Sequence, residues 1–110
     1  MAIGSSPDDL ARAARDALGR GDPGGARRIA VALVQRRPDL AEGHFLVGMA
    51  EAEMGRITAA IEAVANATRL KADAEYQAQF ARLLVTARRD GAARAAADAA
   101  VRLGPRDALT

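Results

Sequence analysis

His44 is the only histidine in the chain, and there is no cysteine. Those two facts decide most of the chemistry on offer. A general base needs a partner that positions it. Glu42 is two residues from His44, and residues two apart on a helix do not face one another. A metal ion needs several ligands together, and His44 has no second histidine, thiol or acidic cluster near it in sequence. The hydroxyls of Ser5, Ser6, Thr58, Thr68, Thr86 and Thr110 stand at no recognisable spacing from a base that could activate them. Residues 19–25 (Gly-Arg-Gly-Asp-Pro-Gly-Gly) are dense in glycine, but no strand precedes them and no Gly-Lys-Ser/Thr follows. A phosphate-cradling loop needs both, so this stretch reads as a turn between helices. No catalytic residue, metal or cofactor is expected.

The elements that carry these residues are all helical. Ser6, Pro7, Asp8 and Asp9 make a helix start: a capping hydroxyl, a proline suited to the first turn, and acids at the positive end of the dipole. Leu10, Ala14, Ala17 and Leu18 form the apolar side of this helix. Asp22 and Pro23 repeat the cap-then-proline device for a second helix, with Ala26, Ile29, Ala30, Leu33 and Val34 at helical spacing. It stops at Pro38. Asp39 with Glu42 predicts a capping box for the third helix, which ends at Gly55. The fourth runs from about Ile57 to Leu70, with Ile61, Val64, Ala67 and Leu70 inward. Asp73 caps the fifth, bearing Tyr76, Phe80, Ala81, Leu84 and Val85. Asp90 and Gly91 open the sixth, carrying Ala93, Ala97, Ala100 and Leu103, closed by Gly104 and Pro105.

These helices repeat at a fixed interval. Gly21 and Gly55, Ala26 and Ala60, and Ala14 and Gly48 are each 34 residues apart. Gly48 and Ala81, and Ala60 and Ala93, are each 33 apart, so one residue is missing around residues 71–73. Small residues such as Gly48 and Ala60 stand where two helices must touch. The unit around residues 43–70 resembles a tetratricopeptide repeat, whose pattern is W-x₂-L-G-x₂-Y…A-x₃-F…P at a period of 34. His44 takes the tryptophan slot, Val47 and Gly48 the L-G pair, Glu51 the tyrosine slot, Ala60 the alanine and Val64 the phenylalanine slot. Ala72 takes the proline slot, although the preceding unit does end on a proline, Pro38.

The resemblance implies an all-α, right-handed solenoid of three antiparallel helix pairs, a single domain with units near 7–40, 41–73 and 74–107. Residues 108–110 read as the start of a further helix, capped by Asp107. About three repeats are needed for stability, and there are three. Glu51 departs from the family, which puts an aromatic or apolar side chain there; a buried carboxylate needs a partner, so an arginine from a neighbouring helix is expected. The resemblance also implies a concave groove lined by the first helix of each unit, here Arg15, Phe45, Met49, Ala52, Arg82 and Val85. Chaperone adaptors of this family clamp a carboxylate with two Lys, two Asn and an Arg. Ala11 and Ala78 take the Lys slots, Arg15 and Met49 the Asn slots, and only Arg82 matches, so that clamp is not expected. An apolar patch flanked by Arg15 and Arg82 suits a protein or peptide partner with an apolar anchor beside an acid.

Composition agrees. Apolar residues make up 50% of the chain and aromatics only 3%, so alanine and aliphatic side chains must build the core. Net charge is +2, with cations and anions interspersed. A nucleic-acid binder would show a basic stripe with stacking aromatics; Phe45, Tyr76 and Phe80 are the only aromatics, and no nucleic-acid partner is expected. No apolar run approaches the ~20 residues of a membrane span, and no secretory leader is apparent, so a cytoplasmic setting and no membrane partner are expected. The reading is a non-enzymatic interaction module. Two alternatives accompany it: the N-terminal targeting part of a longer enzyme such as a transferase, and a module that self-associates through its last helix (Ala96, Ala99, Ala100, Leu103).

Overall fold

The structure, a computed structural model, describes residues 5–104. It contains six helices: α1 (Pro7–Gly19), α2 (Pro23–Arg36), α3 (Ala41–Glu53), α4 (Ile57–Leu70), α5 (Ala74–Thr86) and α6 (Asp90–Leu103). Each odd-numbered helix packs mainly on the even one that follows it, and α2–α3 and α4–α5 contacts join the pairs. The result is a solenoid of three antiparallel pairs. The loop between α4 and α5 is one residue shorter than that between α2 and α3, which places the missing residue at 71–73. The further helix expected to start at 108–110 lies outside the described residues.

Local chemistry sets the helix starts. Ser6 and Asp9 form a capping box on α1: the Asp9 N–H donates to Ser6 Oγ (3.1 Å) and the Ser6 N–H to Asp9 Oδ2 (3.2 Å). Asp22 caps α2 through the Gly25 N–H (3.0 Å), and Asp73 caps α5 through the Tyr76 N–H (3.1 Å). The expected Asp39–Glu42 box on α3 does not form. Leu40 is the N-cap residue there, without a side-chain bond. Asp39 instead takes two bonds from Arg37, at 3.0 and 2.8 Å, and Glu42 pairs with Arg15 of α1. Ionised donors outcompete a neutral backbone N–H for a carboxylate.

Each pair turns in the same way. After α1, the Gly21 N–H donates to Leu18 O and the Asp22 N–H to Ala17 O, at 3.0 and 2.9 Å. After α3, Gly55 bonds Ala52 O and Arg56 bonds Glu51 O; after α5, Arg88 bonds Val85 O and Arg89 bonds Leu84 O. This double closure is the Schellman motif, which needs a left-handed residue at its corner. The corners have φ of 79° at Gly21, 79° at Gly55 and 64° at Arg88.

The core is built largely from alanine. Ala14, Ala17, Ala26, Ala30, Ala50, Ala60 and Ala67 are wholly inaccessible, with Leu33, Leu46, Val64 and Leu84 between them. Small side chains let helix axes approach closely. At Gly48 a Cβ would stand 2.4 Å from Val64 Cγ2 and 3.2 Å from the Ala60 carbonyl oxygen, so the α3–α4 contact admits no side chain there. One expected inward residue does not turn inward. Leu70 is largely exposed, because it closes α4 at the loop. In α6 Ala96, expected on the exposed face of the last helix, is instead buried beside Ala93, while Ala97 faces out. Leu103, expected on that exposed face, is exposed.

Candidate functional site

The first helices of the three pairs line one concave surface. Its larger depression holds about 750 Å³ and is walled by Leu18 of α1, Met49, Ala52 and Glu53 of α3, and Gln79, Arg82 and Val85 of α5. A second depression of about 410 Å³ adjoins it, walled by Arg15, Leu18, Phe45, Met49 and Glu75. Leu18 and Met49 belong to both, so the two form one groove. All six expected groove residues lie on it: Arg15 and Phe45 in the smaller part, Ala52, Arg82 and Val85 in the larger, and Met49 in both.

Their exposures differ. Phe45 is only 6% exposed and stacks on Tyr76 with ring centroids 4.4 Å apart. It forms the floor where α5 meets α3, with little surface of its own to offer. Val85 is 56% exposed, an apolar side chain presented to solvent on the groove wall. Met49 and Ala52 are half-buried beside it. Ala11, placed by register in a lysine slot of this face, is buried under the groove. Sequence reasoning missed Ile57, Gln79 and Leu83, which also line the larger depression. Ile57 reaches it from the start of α4, and no helix-face pattern of the first helices could have shown that.

Charge along the groove is mixed. Arg15 is held by Glu42, which spans α1 to α3. Arg82 donates to Gln79 Oε1 at 3.2 Å, and among the described residues no carboxylate pairs with it. Burial pushes the Tyr76 hydroxyl up to about 12, and the charges of Asp73 and Glu42 push in the same direction. The phenol therefore stays neutral beside the groove floor at ordinary pH.

The opposite flank holds the two polar residues singled out by the sequence. Glu51 is 5% exposed. Arg27 of α2 reaches its Oε2 at 2.8 Å and Arg56 its Oε1 at 3.3 Å, so the expected arginine is there, with a second beside it. The Arg27 hydrogen bond holds the carboxyl below its usual range against the opposing effect of burial, and Arg56 adds to it. His44 is half-buried, its Nε2 2.9 Å from the Pro38 carbonyl oxygen. Both residues border a cavity of about 370 Å³ with Val34, Val47 and Asn66. Among the described residues no cluster of three or more potential metal ligands occurs, and no helix is long and apolar enough to cross a membrane.

No protein-family model matches the sequence, and no curated protein matches it. Solved structures do match in shape. The crystal structure of MamA superposes with a TM-score of 0.86 over 94% of this chain, at 19% identity. A mutant O-GlcNAc transferase from Thermobaculum terrenum gives 0.85 over 91%, at 24% identity. The chain spans 61% of the length of the first and 19% of the second. At these identities the likeness is one of fold, and that fold is the tetratricopeptide-repeat type of solenoid.

Proposed function

We propose that the chain is a non-enzymatic protein-interaction module that takes a short peptide or helix into its concave groove. One observation carries this reading: a continuous depression across all three units, with Val85 open to solvent beside an Arg82 that no carboxylate of the described residues neutralises. An apolar anchor of the partner seats against Met49, Ala52 and Val85, and an adjacent acid meets Arg82. The larger depression falls in the ~300–1,000 Å³ range of ordinary ligand clefts. Repeat solenoids present this kind of extended concave surface to their partners.

The test is selection of random displayed peptides on the wild-type chain, followed by binding of the enriched peptides to Met49→Asp/Arg82→Glu. The expected result is enrichment of an apolar residue next to Asp or Glu, with at least tenfold weaker binding to the double variant. Equal binding by the two proteins refutes the groove as the site. Arg82 is exposed and Met49 half-buried, so circular dichroism checks that the variant stays folded. The match to a segment of a transferase supports a second reading, in which this module is the targeting part of a longer enzyme. Intact mass from the source cells separates the two.

A further inference from the structure

The two depressions of the groove lie end to end along α3. Phe45, Met49 and Ala52 of α3 form their floor, at positions i, i+4 and i+7 of one helix face. α1 and α5 supply the walls: Arg15 and Leu18 on one side, Glu75, Arg82 and Val85 on the other. The repeat itself sets the register. Arg15, Met49 and Arg82 are equivalents at intervals of 34 and 33 residues, and so are Leu18, Ala52 and Val85. The long direction of the groove is therefore that of α3, with three parallel helices around it.

Charge changes sign along that direction. Glu75 borders the smaller depression and Arg82 the larger, and both are exposed. Among the described residues neither is in an ion pair. Arg15, the other charge on the smaller depression, is already held by Glu42. Glu53 closes the far end of the larger depression, one turn beyond Met49, and repels a partner's acid from there. Glu75 and Arg82 are seven residues apart. Two turns of α5 separate them, so they share a face and stand about 10 Å apart along the axis.

An α-helix meets that spacing: its own residues i and i+7 share a face at the same interval. An extended strand covers the distance in about three residues, and its alternation turns the second charge away. Direction follows from the dipoles. A helix running antiparallel to α3 meets Arg82 with an acid toward its N-terminus and Glu75 with a cation toward its C-terminus. That order suits its own dipole, and its dipole opposes those of α1, α3 and α5. A parallel helix loses on both counts.

With the groove as the binding site, a reading on which this rests, we propose that its occupant is an amphipathic helix of a partner protein lying antiparallel to α3. It carries Asp or Glu at position i and Lys or Arg at i+7. Beside them, toward the floor, runs an apolar stripe of residues one, three or four positions from the acid.

The test selects displayed random peptides of about 16 residues, long enough to fold as a helix, on the wild-type chain. The expected enrichment is an acid followed seven positions later by a cation. Glu75→Lys, at an exposed site, is expected to weaken binding of such a peptide severalfold, and replacing the peptide's cation by Glu to restore it. Proline midway between the two charges is expected to weaken binding at least tenfold, since it breaks a helix and leaves an extended chain intact. A nitroxide on the N-terminus of the bound peptide is expected to broaden the amide signals of Val85 and Thr86, and one on its C-terminus those of Glu75. An empty selection, or peptides that bind Met49→Asp/Arg82→Glu as well as wild type, refutes the groove itself. Peptides that lose binding to that variant yet lack the seven-residue spacing, tolerate the proline, ignore Glu75→Lys or lie the other way round leave the groove standing and overturn the antiparallel helix.

Discussion

Glu51 is where a single side chain has most to lose. It is buried among apolar helices and held by two guanidinium groups whose own side chains reach solvent. Glu51→Gln keeps the shape and removes the charge. The expected cost is about 1–2 kcal/mol by urea denaturation at neutral pH, the loss of charge-assisted hydrogen bonds softened by arginines that can turn to water. The pH dependence follows from the depressed carboxyl. Its stabilisation is present above the ordinary value of 4.5 and is lost as pH falls through the lower folded value. The gap between wild type and variant should therefore narrow in acid; a constant gap would mean that packing, not charge, is what Glu51 supplies. The need for an arginine was legible in the sequence, because a carboxylate in an apolar slot has few other ways to be tolerated. The role of Asp39 was not legible. A cap and an ion pair draw on the same carboxylate, and Arg37 two residues away settles the contest.

At the level of the element, the three Schellman turns make an internal comparison. Two have glycine at the left-handed corner and the third has Arg88 at φ 64°. A side chain there is strained by contact with its own backbone, so Arg88→Gly should raise stability by about 0.5–1 kcal/mol, the relief being partly offset by the freer unfolded chain. Thermal unfolding of the variant checks this; a fall in stability would show that the Arg88 side chain makes a compensating contact. The first two corners were readable from Gly21 and Gly55. The third was hidden, because arginine carries no local preference for this conformation and only the neighbouring turns impose it. The facing of α6 was misread for a related reason. Alanine stands at seven of its fourteen positions, so there is little apolar contrast by which a face can be told from its neighbour.

Across the whole molecule, cohesion declines toward the C-terminal pair. α4 and α5 pack less extensively than α2 and α3, and α6 buries only Ala93 and Ala96. Repeat arrays gain stability from neighbour contacts, so α6 should open locally before the rest. Native-state hydrogen exchange is expected to show the fastest amides in α6, slower ones in α5 and the slowest in α2–α4. Equal protection throughout would mean that the three pairs unfold as one unit. The overall layout was legible because spacing survives where letters drift: a turn and a small residue recur at the period. The groove's outline was legible through the same register. Its depth was not, since whether Phe45 faces solvent or supports Tyr76 depends on a residue 31 positions away.

The alanine core has a genetic corollary. Every single-base change of an alanine codon that alters the residue gives glycine, serine, threonine, valine, proline, aspartate or glutamate. Only glycine is smaller, and it weakens a helix. The others add atoms at positions such as Ala14, Ala30 and Ala60, which have no free surface, and added volume in a filled core is destabilising. Drift in such a lineage is therefore channelled to the exposed faces of the helices, while the frame that holds those faces in register stays nearly fixed.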